Sequence, residues 1–279
     1  MNRKKINRRE RKTIIQYIVL VILALLFFVP LLWLLLASIN PNANPTITMP
    51  KQFSLGNFAQ VFTNPDNLRG FLNSFIIAGV TSVTVVVLAL LASYPLSRYE
   101  LRGKGKFLYA IIFMTSLPVN AILVPVFRMF INLGLQDNLL SLALFMAATN
   151  MPYGIWMTKN FMDAVPVSLE EAARVDGANS IQVLKNVIIP LMKPGILTVL
   201  IYVFTGAWGN FFTPFILLQS TQKYPAAVRI YQYFNDGGII EYGKLAAYSV
   251  VYMLPCIMLY AFAQKFMSQG FALSGGDKG

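Results

Sequence analysis

The run TIIQYIVLVILALLFFVPLLWLLLASIN, residues 13–40, decides the fold class of this chain. It contains no charged side chain, and it is longer than the roughly 20 apolar residues that a helix needs to cross about 30 Å of hydrocarbon. Basic residues precede it, as in a signal peptide, but it is too long for one and ends without a small-x-small cleavage site. The sequence therefore predicts a retained first transmembrane helix, residues 13–39.

Five further stretches lack Lys, Arg, Asp and Glu, and each predicts another span: 71–97, 107–127, 138–158, 194–222 and 245–264. The composition agrees, since 56% of the 279 residues are hydrophobic, 12% are charged and the mean hydropathy is +0.59. A soluble domain is nearer 45–50% apolar and about 25% charged. We therefore predict an all-α membrane protein with six transmembrane helices, the last five forming a core over residues 71–266.

The scarcity of reactive side chains excludes several function classes. One cysteine, Cys256, allows no internal disulfide, and the absence of histidine makes zinc chemistry and His-based catalysis poor fits. No catalytic or metal-binding residue is predicted. All ionisable side chains lie outside the predicted spans, whereas ion-driven transporters usually need one at depth. If the protein moves a solute, its energy comes from elsewhere.

The basic residues indicate the orientation of the chain. Seventeen fall on one side, including those of the N-terminal segment 1–12 and the loop 159–193, and six fall on the other. Positive charge marks the cytoplasmic side, so both termini and the Gly-rich tail 267–279 are predicted to be cytoplasmic. Residues 40–70 then form an extracytoplasmic loop, with one short helix near 55–62. A DNA-binding arm is the competing interpretation of the basic N-terminus, but its position beside a span favours contact with the lipid bilayer over nucleic acid.

The loop 159–193 has the signals of two short helices. Ser168 and the carboxylate three residues later have the form of a capping box. Gly177 suits the left-handed residue that ends a helix, and a polar side chain at 179–180 can cap a second helix that ends at Pro190. The sequence predicts two helices meeting at a glycine bend beneath the membrane.

This loop presents small and charged side chains together, a surface suited to a soluble partner. Small residues let the groove of another protein approach the backbone, and charges can fix its register. An amphipathic loop lying on the bilayer is the alternative, but four carboxylates would then face an anionic surface. The candidate contact residues are Glu170, Glu171, Ala172, Ala173, Arg174, Asp176, Gly177 and Pro190.

A few polar and aromatic residues within the spans are candidates for a solute pathway. They are Asn120, Asn150, Tyr153, Trp208 and Asn210. Polar residues in membrane bundles also serve as interhelical hydrogen-bonding groups, and that structural interpretation remains open for each of them.

The spacing in the loop resembles a known family. Glu171-Ala172-Ala173, three residues, Gly177, nine residues and then 187–190 (VIIP) is similar to the EAA motif of permease subunits of binding-protein-dependent ABC importers, which usually ends in Ile-x-Leu-Pro. Residues 92–99 (ASYPLSRY), 206–208 (GAW) and 275–279 (GGDKG) resemble the carbohydrate-importer type, similar to the smaller maltose-importer permease. The chain has Gly209-Asn210 where that group often has an Asn and an acidic residue.

This resemblance implies a transport subunit that holds no cofactor. It would pair with a second, related permease, two ATPase subunits carrying ATP and Mg²⁺, and an extracytoplasmic solute-binding protein, in a prokaryotic inner membrane. The chain has no P-loop pattern, so ATP hydrolysis would reside on the partner. An ABC permease for an amino acid, phosphate or peptide is an alternative, and a stand-alone secondary transporter or membrane enzyme is a further one.

Overall fold

The structure, a computed structural model, describes residues 8–235 and 240–274, with side chains over 13–234 and 240–264. All regular structure in these ranges is helical, which confirms the predicted all-α fold class. Residues 1–7 of the predicted basic N-terminus and 275–279 of the predicted tail lie outside the described residues.

Thirteen α-helices follow one another along the described residues. Their bounds are α1 Arg8–Ser38, α2 Gly56–Thr63, α3 Pro65–Arg98, α4 Lys104–Thr115, α5 Leu123–Asn132, α6 Leu139–Asp163, α7 Val167–Val175, α8 Ser180–Val183, α9 Ile189–Leu191, α10 Lys193–Trp208, α11 Phe212–Leu217, α12 Ala226–Asn235 and α13 Tyr242–Ser274. Short 3-10 helices lie at Val119–Ile122 and Thr221–Lys223, and a π-helix lies at Leu184–Ile188. Four helices (α1, α3, α6 and α13) are long and apolar enough to cross a membrane, and the number rises to six if each of two bent pairs is one span.

The third predicted span, 107–127, is not one continuous helix. α4 ends at Thr115, and the chain resumes as a 3-10 helix and α5 after a bend of 83°. Pro118 explains the break, because proline has no N–H to donate and disfavours helical backbone in the residue before it. The apolar composition continues across the break, so the run of uncharged residues does not reveal it.

The fifth predicted span, 194–222, is also wrong as a single helix. α10 ends at Trp208, and Gly209 is its C-cap residue. The Asn210 side chain then accepts a hydrogen bond from the Thr213 backbone N–H at 3.0 Å, and α11 begins at Phe212. A short polar side chain that bonds the backbone offers an alternative to continued helix, so the apolar stretch is divided into two helices.

Two compact units make up the chain. The first comprises Met1–Asn64 and Tyr233–Tyr252. Within it, α2 confirms the predicted short helix, and the Asn57 side chain donates to the Ser38 and Asn40 carbonyls at 3.1 and 3.0 Å. These bonds hold the 40–64 segment against the end of α1.

The second unit comprises Pro65–Gln232 and Met253–Gly279, and α3, α6 and α10 form its packed centre. One core cluster joins Val85 and Val86 of α3 to Ala147 of α6 and to Val199 and Val203 of α10. α3 and α6 approach closely at Gly154, where an added Cβ would lie 2.4 Å from a Val85 methyl carbon. Small residues at such crossings are typical of membrane bundles.

Candidate functional site

The 159–193 loop turns at a glycine in the left-handed backbone region. Gly177 has a φ of +86°. α7 ends just before it in a Schellman motif, in which the Gly177 N–H donates to the Arg174 carbonyl at 3.0 Å and the Ala178 N–H donates to the Ala173 carbonyl at 2.9 Å. The predicted role of Gly177 as the residue that ends the first helix is confirmed.

The two helix starts in the loop differ from each other. α7 begins at Val167 behind Pro166, with no side-chain cap, so the predicted capping box at Ser168 is wrong. Pro166 holds extended backbone with a fixed φ, and the helix starts directly after it. A true capping box forms at the second helix instead, where the Asn179 side chain accepts from the Gln182 N–H at 2.9 Å and the Gln182 side chain accepts from the Asn179 N–H at 2.8 Å.

The second helix continues past Pro190, contrary to the prediction that it ends there. The α8, π and α9 segments run from Ser180 to Leu191 before a bend of 77° leads into α10. In a regular α-helix the ring of Pro190 would crowd the carbonyl four residues earlier. The helix widens into a π-turn just before it, with the Ile189 N–H donating to the Leu184 carbonyl, and Pro190 is accommodated inside the helix.

An apolar cluster lies under both helices of the loop. Its buried members are Tyr94, Met162, Val165, Val183, Ile188 and Met192, and the partly buried Ala173 and Ala178 pack against it. These residues come from α3, α6 and the loop itself, so the hydrophobic effect holds the loop on the ends of two long helices. The loop is an ordered part of the second unit.

Glu170 departs from the surface role predicted for it. Its side chain is 4% exposed and forms an ion pair with Arg98, the last residue of α3. The Arg98 Nη2 also donates to the Val165 carbonyl at 2.9 Å. Glu170 thus holds the loop to α3 with its side chain shielded from solvent, and Ala173 is likewise turned towards the apolar cluster. Their role as contact residues stays a prediction.

The rest of the predicted contact set lies on the outer face of the loop. Glu171, Ala172, Asp176, Gly177 and Pro190 are exposed, and so is Arg174, although its guanidinium donates to the Tyr94 hydroxyl of α3 at 3.0 Å. Val175 and Ile181 join them with 87% and 76% of their surface exposed, although the sequence analysis did not select either. The helical period could have indicated the exposure of Ile181, because Ile181 lies off the apolar face formed by Val183 and Ile188. The outer face therefore combines charge with exposed aliphatic surface.

Aromatic contacts organise two of the predicted pathway residues. Tyr153 of α6 stacks on Tyr202 of α10, with ring centroids 4.2 Å apart. Trp208 is 2% exposed and packs against Phe75 and Phe204 at centroid distances of 4.7 and 5.8 Å. The structure thus places Trp208 in the packing of α3 against α10, and its pathway role stays a prediction.

The three predicted pathway asparagines lie on different elements. The Asn150 amide donates to the Met146 carbonyl one turn earlier in α6 at 2.7 Å. The Asn210 side chain accepts from the Thr213 N–H at the start of α11, and Asn120 is exposed in the first 3-10 helix. Among the residues that the structure describes, no three His, Cys, Asp or Glu side chains form a group that could hold a metal ion.

Asp137, in the turn between α5 and α6, is a polar centre that the sequence did not indicate. Its carboxylate accepts from the Gln219 and Ser220 backbone N–H groups, both at 3.0 Å, and pairs with Lys223 at 3.0 Å. Burial raises the pKa of Asp137, but the hydrogen bonds from Ser220, Gln219 and Lys223 outweigh it and hold the pKa well below its usual range. The ionised carboxylate therefore joins two segments far apart in sequence.

The chain has several apolar helices long enough to span a membrane, and an ordered loop that turns at Gly177. These features define a multi-pass membrane protein. The chain belongs to the family of binding-protein-dependent transport system inner membrane components, which matches residues 7–270. The resemblance seen in the EAA motif is thereby confirmed.

Individual relatives agree with this membership. The chain is 32% identical to the inner membrane ABC transporter permease protein YcjP of Escherichia coli K12 over 85% of each chain. It is 26% identical to the maltodextrin transport system permease protein MalD of Streptococcus pneumoniae R6, over 100% of this chain and 99% of that one. Its fold is similar to that of a bacterial ABC transporter involved in the import of the acidic polysaccharide alginate, with a TM-score of 0.82, 24% identity, and coverage of 94% of this chain and 99% of the other.

Proposed function

We propose that this chain is the permease subunit of an ABC importer that carries a sugar, an oligosaccharide or a related carbohydrate, across a prokaryotic inner membrane. Family membership supports the transport role, and the maltodextrin permease of Streptococcus pneumoniae supports the substrate class. The observation that carries the proposal is the outer face of the 159–193 loop, where Glu171 and Ala172 are exposed on a helix that ends at the left-handed Gly177.

In this proposal the loop is the contact for a soluble ATPase. A second, related permease completes the pore, two ATPase subunits bind ATP and Mg²⁺ beneath it, and a solute-binding protein docks on the opposite side. The description of the family names a binding protein, which supports the last of these partners. Closure of the ATPase pair would displace α7, and the membrane helices would then alternate between inward-open and outward-open arrangements. This chain itself does no chemistry.

The proposed orientation places both termini and the 159–193 loop in the cytoplasm. It is tested by impermeant maleimide labelling of single cysteines in a Cys256→Ala background. Val175→Cys should react in inside-out membrane vesicles and not in intact spheroplasts, whereas the exposed Asn42→Cys should show the reverse. The opposite pattern would invert the topology and remove the loop from the reach of a cytoplasmic ATPase.

The transport function is tested in proteoliposomes that contain the chain with the neighbouring permease, ATPase and binding protein from its own genome. Binding of maltodextrins, other oligosaccharides, amino acids and phosphate to the binding protein is measured first, followed by ATP-driven uptake of the ligand found. We expect carbohydrate binding and uptake that requires ATP. Uptake of an amino acid or phosphate would refute the substrate class, and uptake by this chain alone would refute the permease role.

A further inference from the structure

The loop end of α3 is joined to α7 by an ion pair shielded from solvent. The Arg98 Nε donates to a Glu170 carboxylate oxygen, and the two side chains are 8% and 4% exposed. Exposed ion pairs contribute little, but removing one partner of a shielded pair leaves an uncompensated charge and is strongly unfavourable. Because Arg98 is in the last turn of α3 and Glu170 is in the first turn of α7, this pair fixes one helix end to the other.

The other two guanidinium nitrogens of Arg98 also form hydrogen bonds where α3 meets the start of α7. Its Nη2 donates to the Val165 carbonyl at 2.9 Å, in the turn between α6 and α7, and its Nη1 donates to the Ser97 hydroxyl at 3.1 Å. The Ser97 hydroxyl in turn donates to Asp163 at 2.6 Å. All three guanidinium nitrogens are therefore satisfied, and the planar fork of Arg98 has one fixed orientation.

A second attachment joins the other end of α7 to α3. The Arg174 Nη2, in the last turn of α7, donates to the Tyr94 hydroxyl at 3.0 Å. Tyr94 precedes Arg98 by about one helical turn and is buried in the apolar cluster beneath the loop. Both ends of the nine-residue helix α7 are therefore bonded to α3.

The connection from α7 onward to α10 has a different character. It passes through Gly177, the π-turn Leu184–Ile188 and the bend of 77° before α10. Hinges are built from a few such residues at loops and helix ends, which absorb changes in backbone angle. α7 is thus bonded directly to α3, whereas its connection to α10 passes through segments that can act as hinges.

We propose that Arg98 and Tyr94 are positioning residues for coupling. They join α7 to α3 so that the two helices move together as one rigid unit, which we call the lever. A displacement of α7 by the ATPase then moves α3 directly. α3 is bonded to α6 through the hydroxyls of Thr81 and Ser93, so the motion passes into the centre of the second unit. This inference rests on the proposed role of the 159–193 loop as the ATPase contact.

The transport test compares Arg98→Glu, Glu170→Arg and the double variant in the reconstituted importer. We expect solute imported per ATP hydrolysed to fall about tenfold in each single variant, because each reversal places two like charges side by side in a shielded site, and to recover in the double variant. Lys244→Gln is the matched control, since it removes an ion pair with Glu241 that involves neither the loop nor α3. Unchanged transport in both single variants would overturn the proposal.

A more conservative variant and a distance measurement keep the test independent of folding. Tyr94→Phe removes only the hydroxyl and should lower the import-to-hydrolysis ratio while the ATPase still copurifies. Spin labels are placed on Ser168 and Leu91, and separately on Ser168 and Lys193, which are all exposed. The 168–91 distance should stay constant between nucleotide-free and ATP-bound states, while the 168–193 distance changes. A 168–91 distance that changes as much as the other would refute the lever.

Failure of the two proposals can be told apart in the wild-type complex. If no ATPase copurifies with the wild-type chain, the proposed function fails and this inference fails with it. If the ATPase copurifies and the wild type imports solute, a variable 168–91 distance overturns the lever alone.

Discussion

Gly177→Val is the sharpest perturbation of the proposed coupling loop. Gly177 has a φ of +86°, and a Cβ built on it would have no atom within 4 Å. The added Cβ therefore meets no other atom, and the main cost of the substitution comes from the backbone. The Schellman hydrogen bonds around Gly177 hold only while that residue stays in the left-handed region. Valine should thus shift the angle between α7 and α8 without damaging the core.

The size of the effect follows from the backbone energy. An L-residue in the left-handed region costs roughly 1–2 kcal/mol, and a β-branched residue there is a rare outlier. One or two kcal/mol shifts an equilibrium about 5- to 30-fold, against about 5–15 kcal/mol for the stability of a typical native protein. We expect the chain to fold and assemble while the loop leaves its hinge geometry. Asparagine tolerates this region, so Gly177→Asn should cost much less.

The assay measures ATP hydrolysis and solute uptake by the reconstituted importer. Gly177→Val should keep hydrolysis and lose uptake about 5- to 30-fold, with Gly177→Ala between the valine and asparagine variants. Gly134→Val is the matched control, because Gly134 has a φ of +65°, an open Cβ position and the same Schellman hydrogen bonds at the end of α5. Uptake at the wild-type level in Gly177→Val, or equal uncoupling in Gly134→Val, would refute the reasoning.

Three further predictions concern the packing and the polar links of the second unit, and each is checked by thermal unfolding in detergent. Gly154→Ala should destabilise the chain by about 1–3 kcal/mol through overpacking against Val85, whereas Gly79→Ala, which meets nothing within 4 Å, should be neutral or stabilising. Trp208→Ala should cost about 3–5 kcal/mol and Trp208→Phe clearly less, and equal stability of the two would place Trp208 outside the core. Asp137→Asn should be destabilising at neutral pH, and the difference from wild type should shrink as the pH falls below about 4. The stability that a lowered pKa adds is complete above the ordinary carboxyl range and is lost progressively below it.

Local chemistry made parts of the loop predictable from sequence. The left-handed Gly177 and the cap at Asn179 each depend on one residue and its immediate neighbours, and both are confirmed. The apolar face that includes Val183 and Ile188 follows the helical period, and both side chains are buried. Such features need no knowledge of the rest of the chain, because the physical cause and its effect lie within one or two helical turns.

The breaks inside the membrane helices could not be placed in the same way. Hydropathy is an average over a window, and it stays high across Pro118 and across Gly209. Proline is tolerated inside other helices of this chain, since Pro95 and Pro152 lie within α3 and α6. Whether a proline or glycine ends a helix depends on whether neighbouring groups satisfy the freed backbone, and that depends on tertiary structure.

The carboxylates of the loop show most clearly what tertiary structure adds. The sequence places four of them in one polar segment, and three of these, Glu170, Glu171 and Asp176, are predicted to face a partner. In the structure, Asp163 and Glu170 are bonded to Ser97 and Arg98 of α3, which lie more than 60 residues away, while Glu171 and Asp176 remain on the outer face. No local pattern distinguishes a carboxylate that fixes the loop from one that is displayed.

This division changes the chemistry expected of the proposed ATPase partner. A contact surface with the three predicted carboxylates would call for a strongly basic groove. The observed outer face has two carboxylates, Glu171 and Asp176, beside the aliphatic side chains of Val175 and Ile181, which are among the most exposed in the chain. Charged pairs at the rim of an interface chiefly set orientation and encounter rate, whereas buried apolar contacts supply most of the affinity. We therefore expect the partner to present an apolar cleft with a few basic groups at its edge, so that Val175→Ser should weaken ATPase binding more than Asp176→Asn does.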